Sequence, residues 1–112
     1  MIINKTKDTT LADVVIYADN PLKRMKGLLG RRSLGASEAM VIKPCNAIHT
    51  FFMRFSIDVL FVNKDFKVVK VIPNMPTFRL SPICFSSQFV VELPVGAIQA
   101  THTALGDELA ID

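Results

Sequence analysis

The sequence has few cysteines, no long apolar run and only a small excess of positive charge. Two cysteines in 112 residues are too few for a disulfide framework, and a net charge of +3 does not by itself indicate a nucleic-acid partner. The N-terminus lacks the apolar core of a signal peptide, and the first apolar run, at 11–18, is too short to cross a bilayer. These absences predict a cytoplasmic protein without a membrane span, in which both thiols stay reduced.

The motifs of common catalytic and cofactor sites are also absent. The chain contains no GxGxxG, Walker loop, HExxH or GxSxG. Its cysteines and histidines have neither the CxxC nor the HxxxH spacing of zinc sites, and they are Cys45, His49, Cys84 and His102. Its phenylalanines are not interleaved with basic residues as in an RNA-binding sheet. We therefore predict no metal, no cofactor and no nucleic-acid partner.

Half of the residues are hydrophobic, which is enough to form a core without staples. The length predicts one domain, residues 1–112. Five of the thirteen basic residues fall between Lys23 and Arg32, so one part of the surface is locally positive. A solvated helix face explains this cluster, and the alternatives are an anion-binding or membrane-surface patch.

Proline and glycine divide the chain into short segments, a pattern that favours β structure. Strands are predicted at 12–18, 39–43, 48–55, 57–62, 66–72, 89–94 and 108–111, and a helical turn at 97–102. A helix is predicted from Asn20 to Gly30, with Leu22, Met25 and Leu29 on one face, packed against a sheet. The fold class is mainly β: a small β-sandwich, jelly-roll-like, or a barrel, with one short N-terminal helix. The alternative is an open α+β sheet.

The mostly apolar segment at 44–63 contains His49, Thr50, Arg54 and Asp58. Strand alternation places His49 with the core-facing residues and the other three on the opposite face. Because an unpaired buried charge is costly, we predict that Arg54 forms a shielded ion pair with Asp58 or Glu92. A ligand contact and plain surface exposure are the alternatives.

The proline-rich segment at 74–88 is long for a loop in a compact domain, and such loops are often functional. We predict an anion-binding edge beside it, where Arg54 and Arg79 would bind a carboxylate or phosphate in a bidentate fork. The alternative is a structural cap, with Phe78 plugging the core. The candidate ligand-binding residues are His49, Thr50, Arg54, Asp58, Arg79 and Glu92.

Four stretches resemble a known family in their order along the chain: PLKRMKGLLGRRSL, PCNAIHTFFMRFSIDVLFVN, VVELPVG and LGDEL. The family is the domain of unknown function 192 family, and the resemblance covers nearly the whole chain from about Ala12 onward. The most specific part matches Ile48, His49, Thr50, Phe51, Met53, Ile57, Asp58, Val59 and Phe61. Further matches are Gly27, Leu28, Arg31, Glu92, Leu93, Gly96, Gly106 and Asp107. The resemblance implies a compact β-sandwich of jelly-roll type and no assigned activity.

Two functions of different class fit the sequence. The favoured one is a small accessory module that binds a small anionic ligand or a protein partner. The alternative is a small enzyme, a hydrolase or isomerase, that uses His49 with Asp58 or Cys45. The binding module is favoured because no acid, base and nucleophile are spaced by a recognisable rule, so no catalytic residue is assigned.

Overall fold

The computed structural model describes all 112 residues, arranged as eight strands and two short helices. In chain order they are β1 (Ile2–Asn4), β2 (Thr9–Ala12), β3 (Val14–Ala18), α1 (Pro21–Lys26), β4 (Glu38–Ile42), β5 (Ile57–Val62), β6 (Val68–Met75), β7 (Phe89–Pro94), α2 (Ala97–Ala100) and β8 (Leu109–Ile111). No helix of the protein has the length and apolar character that crossing a membrane requires.

The strands form two sheets. The larger has the order β3-β4-β7-β5-β6, with β3 parallel to β4 and every other neighbouring pair antiparallel. The smaller is antiparallel, with β1 between β2 and β8. The prediction of a mainly β, two-sheet fold is confirmed, and neither sheet closes into a barrel.

One hydrophobic core lies between the two sheets. Val41, Leu60 and Val91 of the larger sheet belong to the same buried cluster as Ile2 and Leu109 of the smaller one. Alternation along β7 turns every second residue to this core. The residues between them face the other side of the larger sheet, where a second buried cluster contains Val90 of β7 and Val59 of β5.

Three connecting segments, 20–37, 43–56 and 76–88, cover this second face, and we call them the loop layer. Leu28, Leu34 and Met53 anchor the loop layer in the second cluster. Backbone hydrogen bonds join the last two segments, including Ser81 N–H to the Ile48 carbonyl at 2.9 Å. The larger sheet is therefore buried on both faces, which explains why all six residues of β5 are buried.

Helix α1 is shorter and more exposed than the sequence predicts. The Asn20 side chain caps its N-terminus by accepting from Lys23 N–H, as predicted. The helix ends at Gly27, not Gly30, because Gly27 adopts a positive φ of 48° that breaks the helical path. The predicted packing of its apolar face is wrong, since Leu22 and Met25 are 80% and 75% exposed.

The predicted strand at 48–55 is also wrong. His49 makes only an isolated bridge to Leu80, and the chain then turns, with Met53 N–H donating to the Thr50 carbonyl at 3.2 Å. The positive φ of Phe52, 64°, belongs to this turn. Strand alternation therefore does not apply here: Thr50 is buried and His49 is exposed, the reverse of the prediction.

Candidate functional site

Glu92 is a carboxyl group inside the second hydrophobic cluster. It lies in the middle of β7, paired with Met40 of β4 and Val59 of β5, and is only 3% exposed. Its Oε1 is buried and has no hydrogen-bond partner. Burial disfavours the charged form and raises the pKa of Glu92 to about 8. The group is therefore mostly protonated at neutral pH.

A cavity of about 430 Å³ lies between α1 and the 44–49 segment of the loop layer, and Glu92 forms part of its wall. Half of its sixteen lining residues are hydrophobic. The lining residues are Pro21, Arg24, Met25, Lys26, Gly27, Leu28, Leu29, Ile42, Pro44, Cys45, Asn46, Ala47, Ile48, His49, Met53 and Glu92. Mixed apolar walls with a few polar groups are typical of small-molecule sites.

Arg24 places a positive charge at the same cavity. Its Nη1 donates to the Pro44 carbonyl at 3.2 Å, while its Nε is buried and has no partner. Glu92 and Arg24 thus both line the cavity, and each has a buried polar atom without a hydrogen-bond partner. Since most buried polar atoms are hydrogen-bonded, two such atoms around one cavity mark it as the candidate site.

Cys45 and His49 line the cavity but do not form a catalytic pair. The Cys45 thiol donates to the Ala47 carbonyl at 3.1 Å, and burial raises its pKa, so the reactive thiolate is disfavoured. His49 is exposed. Its Nδ1 accepts from Phe51 N–H at 3.3 Å, and its ring stacks on Phe51 with centroids 5.4 Å apart. No hydrogen bond joins His49 to Cys45.

Asp58 lies on the opposite side of the sheet from the cavity. It shares the face of Leu60, which points into the core between the sheets. Its Oδ1 accepts from Asn74 N–H at 2.8 Å, and its Oδ2 accepts from Gly96 and Ile98 N–H at 3.1 and 2.9 Å. These bonds tie β6 and α2 to β5. Asp58 therefore has a structural role, and the His49–Asp58 pair is not formed.

The predicted ion pair of Arg54 with Asp58 or Glu92 is wrong. Arg54 is exposed and makes no salt bridge, because the segment that was to place it on a strand is a turn. Arg79 is also exposed, and its Nη1 donates to the neighbouring Phe78 carbonyl at 3.2 Å. Neither arginine lines the cavity. Phe78 is 53% exposed, so it does not plug the core.

A family model matches residues 2–111, almost the entire chain. This chain belongs to the DUF192 family, whose description is "Uncharacterized ACR". It is 33% identical to a UPF0127 protein of Thermococcus sibiricus, over 97% of this chain and 73% of the relative. It is 31% identical to a UPF0127 protein of Pyrococcus horikoshii, over 97% and 96% of the two chains. A crystal structure of a protein of unknown function from Novosphingobium aromaticivorans superposes with a TM-score of 0.87. That protein is 20% identical, and the match covers 98% of this chain and 82% of the other, so it shows the shared fold.

The positions matched to the DUF192 pattern fall into two groups in the structure. Six line the cavity: Gly27, Leu28, Ile48, His49, Met53 and Glu92. Others hold the fold together, among them Asp58 and Asp107. The Asp107 Oδ2 accepts from Asn4 Nδ2 at 2.9 Å and from Ala104 N–H at 2.9 Å. The motif residues therefore serve both the cavity and the framework around it.

Arg24 is a member of the site that was not predicted from the sequence. Arg24 belongs to the basic cluster between Lys23 and Arg32, for which a solvated helix face is the favoured interpretation and an anion-binding or membrane-surface patch the alternative. The available signal was its position in the matched stretch PLKRMKGLLGRRSL. Only the fold brings that stretch beside Glu92, which is 68 positions later in the sequence.

Thr50 acts as an anchor for the loop layer, and its replacement by valine tests this role. The Thr50 hydroxyl donates to the Pro76 carbonyl at 2.6 Å and accepts from Arg79 N–H at 2.9 Å. Thr50→Val removes both bonds at almost constant volume, so we expect a loss of about 2 kcal/mol in the free energy of unfolding. Urea unfolding measures the loss. Thr77→Val, in the 76–88 segment to which Thr50 bonds, is the control, expected to change stability by less than about 0.5 kcal/mol. Equal effects of the two changes would contradict the anchor role.

Proposed function

We propose that this DUF192 domain is a cytoplasmic binding module whose cavity takes a small organic acid. The observation that carries the proposal is the buried Glu92 Oε1, which has no hydrogen-bond partner beside a cavity of about 430 Å³. A buried polar atom without a partner costs about 1–3 kcal/mol. Such a cost is expected where a ligand supplies the missing partner, since real proteins break local packing rules mainly at functional sites.

The charge of the cavity favours an anionic ligand. Burial keeps Glu92 mostly protonated at neutral pH, so Arg24 and Lys26 provide the charges of the cavity wall. The free Nε of Arg24 suits a carboxylate, which guanidinium groups bind through parallel hydrogen bonds. The protonated Glu92 can donate to a carbonyl or hydroxyl of the same ligand. Met25 and Met53 would contact an apolar body.

The hydrolase or isomerase alternative has less support. His49 is not hydrogen-bonded to Cys45 or Asp58, and the Cys45 pKa is raised rather than lowered. A thiolate or a paired histidine base would require the opposite arrangement.

Titration with benzoate, followed by NMR of labelled protein, tests the proposal. We expect saturable shifts at the amides of Gly27, Cys45 and His49, and a much weaker response to benzyl alcohol, which has the same ring without the charge. Arg24→Gln should weaken binding at least about tenfold, since it removes a charge-assisted contact. Arg54→Gln, outside the cavity, is the matched control and should leave the affinity unchanged. If no amide shows a saturable shift, the protein has no benzoate site. If binding is weakened only in Arg54→Gln or Arg79→Gln, benzoate binds at the edge predicted from the sequence and not in the cavity.

The pH dependence of the same titration tests the role of Glu92. Because its pKa lies near 8, Glu92 becomes negative as the pH rises through that value, and the new charge repels a bound carboxylate. We therefore expect the benzoate affinity to fall above about pH 8 in the native chain. In Glu92→Gln this step should disappear, because glutamine does not ionise.

A further inference from the structure

The charges of this protein are divided between two regions of its surface. The loop layer contains eight of the thirteen lysines and arginines and none of the ten acidic residues. One of the eight, Arg31, is paired with Glu38 at the border of the layer, and Arg24 belongs to the cavity. The other six are exposed and make no salt bridge: Lys23, Lys26, Arg32, Lys43, Arg54 and Arg79. One face of the molecule is thus positive, while the remainder of the chain carries an excess of acidic residues.

The same face displays the most exposed apolar side chains of the protein. Five large apolar residues are at least 70% exposed, and all five lie in the loop layer: Leu22, Met25, Phe52, Leu80 and Phe85. Monomeric proteins seldom expose apolar residues in such concentration without an interaction that covers them. The cavity mouth explains Met25 alone, since the other four do not line it.

Two exposed phenylalanines have backbone conformations that phenylalanine disfavours. Phe52 and Phe78 have positive φ angles of 64° and 58°, a region that bulky residues rarely adopt. Their rings meet edge to face, with centroids 5.6 Å apart, and both are more than half exposed. Glycine or asparagine would suit both turns better. Neither burial nor turn geometry favours phenylalanine here, so the rings point to an external contact.

The three segments of the loop layer form one continuous face. Arg24 reaches the carbonyl of Pro44, which joins α1 to the second segment. Backbone hydrogen bonds of 2.8–2.9 Å join the second segment to the third, through Cys84 to Asn46 and Phe78 to Thr50. Cations and protruding apolar side chains are therefore mixed over a single surface. Lys23 follows Leu22, Lys26 follows Met25, and Arg79 precedes Leu80.

We propose that the loop layer docks onto a membrane surface that contains anionic lipids. Lysines and arginines at such a surface are attracted by lipid phosphates. Apolar side chains that protrude beside them enter the boundary between headgroups and acyl chains. A nucleic acid would pair with the cations but would gain nothing from protruding Leu22 and Leu80. An acidic protein would need its own pockets for each apolar side chain, whereas the acyl region has no fixed shape. Charge complementarity and protrusion together thus favour the lipid surface.

Co-sedimentation with vesicles tests the docking face. We expect the protein to bind vesicles of phosphatidylcholine mixed with phosphatidylglycerol, not vesicles of phosphatidylcholine alone, and to dissociate as the salt concentration rises. Lys23→Glu/Lys43→Glu, at two exposed positions of the loop layer outside the cavity, should lower the partition coefficient roughly a hundredfold, because two attractive charges become repulsive. Lys64→Glu/Lys70→Glu makes the same change of net charge outside the loop layer and should lower it by less than about threefold.

The apolar part is tested separately. Phe52→Ser/Phe85→Ser should lower the partition coefficient at least about tenfold by removing the inserting side chains. Val95→Ser/Leu105→Ser, exposed residues outside the loop layer, should not. Glu92→Gln should also bind vesicles normally, which separates this proposal from the organic-acid site. No vesicle binding, or equal losses in the control variants, would overturn the proposal. If sedimentation shows a dimer and Phe52→Ser/Phe85→Ser dissociates it, the surface is an interface between two copies of the chain. That result would also overturn the proposal.

Discussion

The Asp58→Ala variant is expected to lose about 4 kcal/mol of its free energy of unfolding. Three backbone N–H groups donate to the Asp58 carboxylate, from Asn74, Gly96 and Ile98, at 2.8–3.1 Å. Alanine would leave all three without a partner in a region that is buried or half-buried, at about 1–3 kcal/mol each. The bonds connect β6 and α2 to β5, so the loss affects the attachment of both elements to the larger sheet. Urea unfolding monitored by circular dichroism measures the change.

Asp58→Asn separates the hydrogen bonds from the charge. Its single side-chain oxygen can keep the two bonds at Gly96 and Ile98, while its amide would face Asn74 N–H, donor against donor. We expect a loss about half that of Asp58→Ala. Asp65→Ala in the exposed hairpin turn is the surface control, with a change below about 0.5 kcal/mol. If Asp58→Ala behaves like this control, the carboxylate is not the structural pin that its contacts indicate.

Glu92 is expected to make the protein less stable as the pH rises from about 4.5 to about 8. Its pKa is raised by burial from 4.5 to about 8 in the folded state. Within that window the folded state keeps a proton that the unfolded state has released, so unfolding becomes easier with each unit of pH. Below the window both states are protonated, and above it both are ionised, so the effect is confined to the window. The total loss is on the order of 5 kcal/mol, at about 1.4 kcal/mol per unit of pH.

The Glu92→Gln variant isolates this contribution. Other carboxylates shift the pH dependence in the opposite direction, because the pKa values of Glu38, Asp107 and Glu108 are lowered by their hydrogen-bond partners. They are unchanged in Glu92→Gln, so the difference between the two stability curves reports Glu92 alone. We expect the variant to become progressively more stable than the native chain between pH 5 and pH 8. Parallel curves would show that Glu92 is ionised in the folded protein.

The sequence was most informative where the chain is buried on both sides. The strands at 57–62 and 89–94 were predicted with the bounds that the structure has. Short continuous runs of apolar and β-branched residues are typical of strands that are buried on both faces. The first two strands were missed or merged. β1 is only three residues long, and between it and β2 the chain is polar. Such a short strand is defined by its pairing with β8, which is a contact between the two ends of the sequence.

The candidate site was predicted only in part, because its contacts are not local. Glu92 and His49 were named, and both line the cavity. The prediction that Arg54 pairs with Glu92 was wrong. The aromatic stretch around Phe52 has the composition of a strand, but the hydrogen bonds of Thr50 to the 76–79 segment hold the chain in a turn there. Helical periodicity correctly placed Leu22 and Met25 on one face. It could not tell that this face has no sheet beneath it.

The construction of the loop layer has a consequence for how the molecule opens. The sheets are held by ladders of strand pairing. The loop layer is held to the larger sheet mainly by side-chain packing, and its backbone hydrogen bonds to the strands lie at the ends of its segments, as from Gln88 N–H to the Val62 carbonyl and from Lys43 N–H to the Ala18 carbonyl. Regions with so few bonds open locally at a lower free energy than the strands they cover. Amide hydrogen exchange should therefore separate two cooperative units, a slow one formed by the strands and a faster one formed by the covering segments. A molecule could reach Glu92 through the faster unit while the pairing of both sheets stays intact.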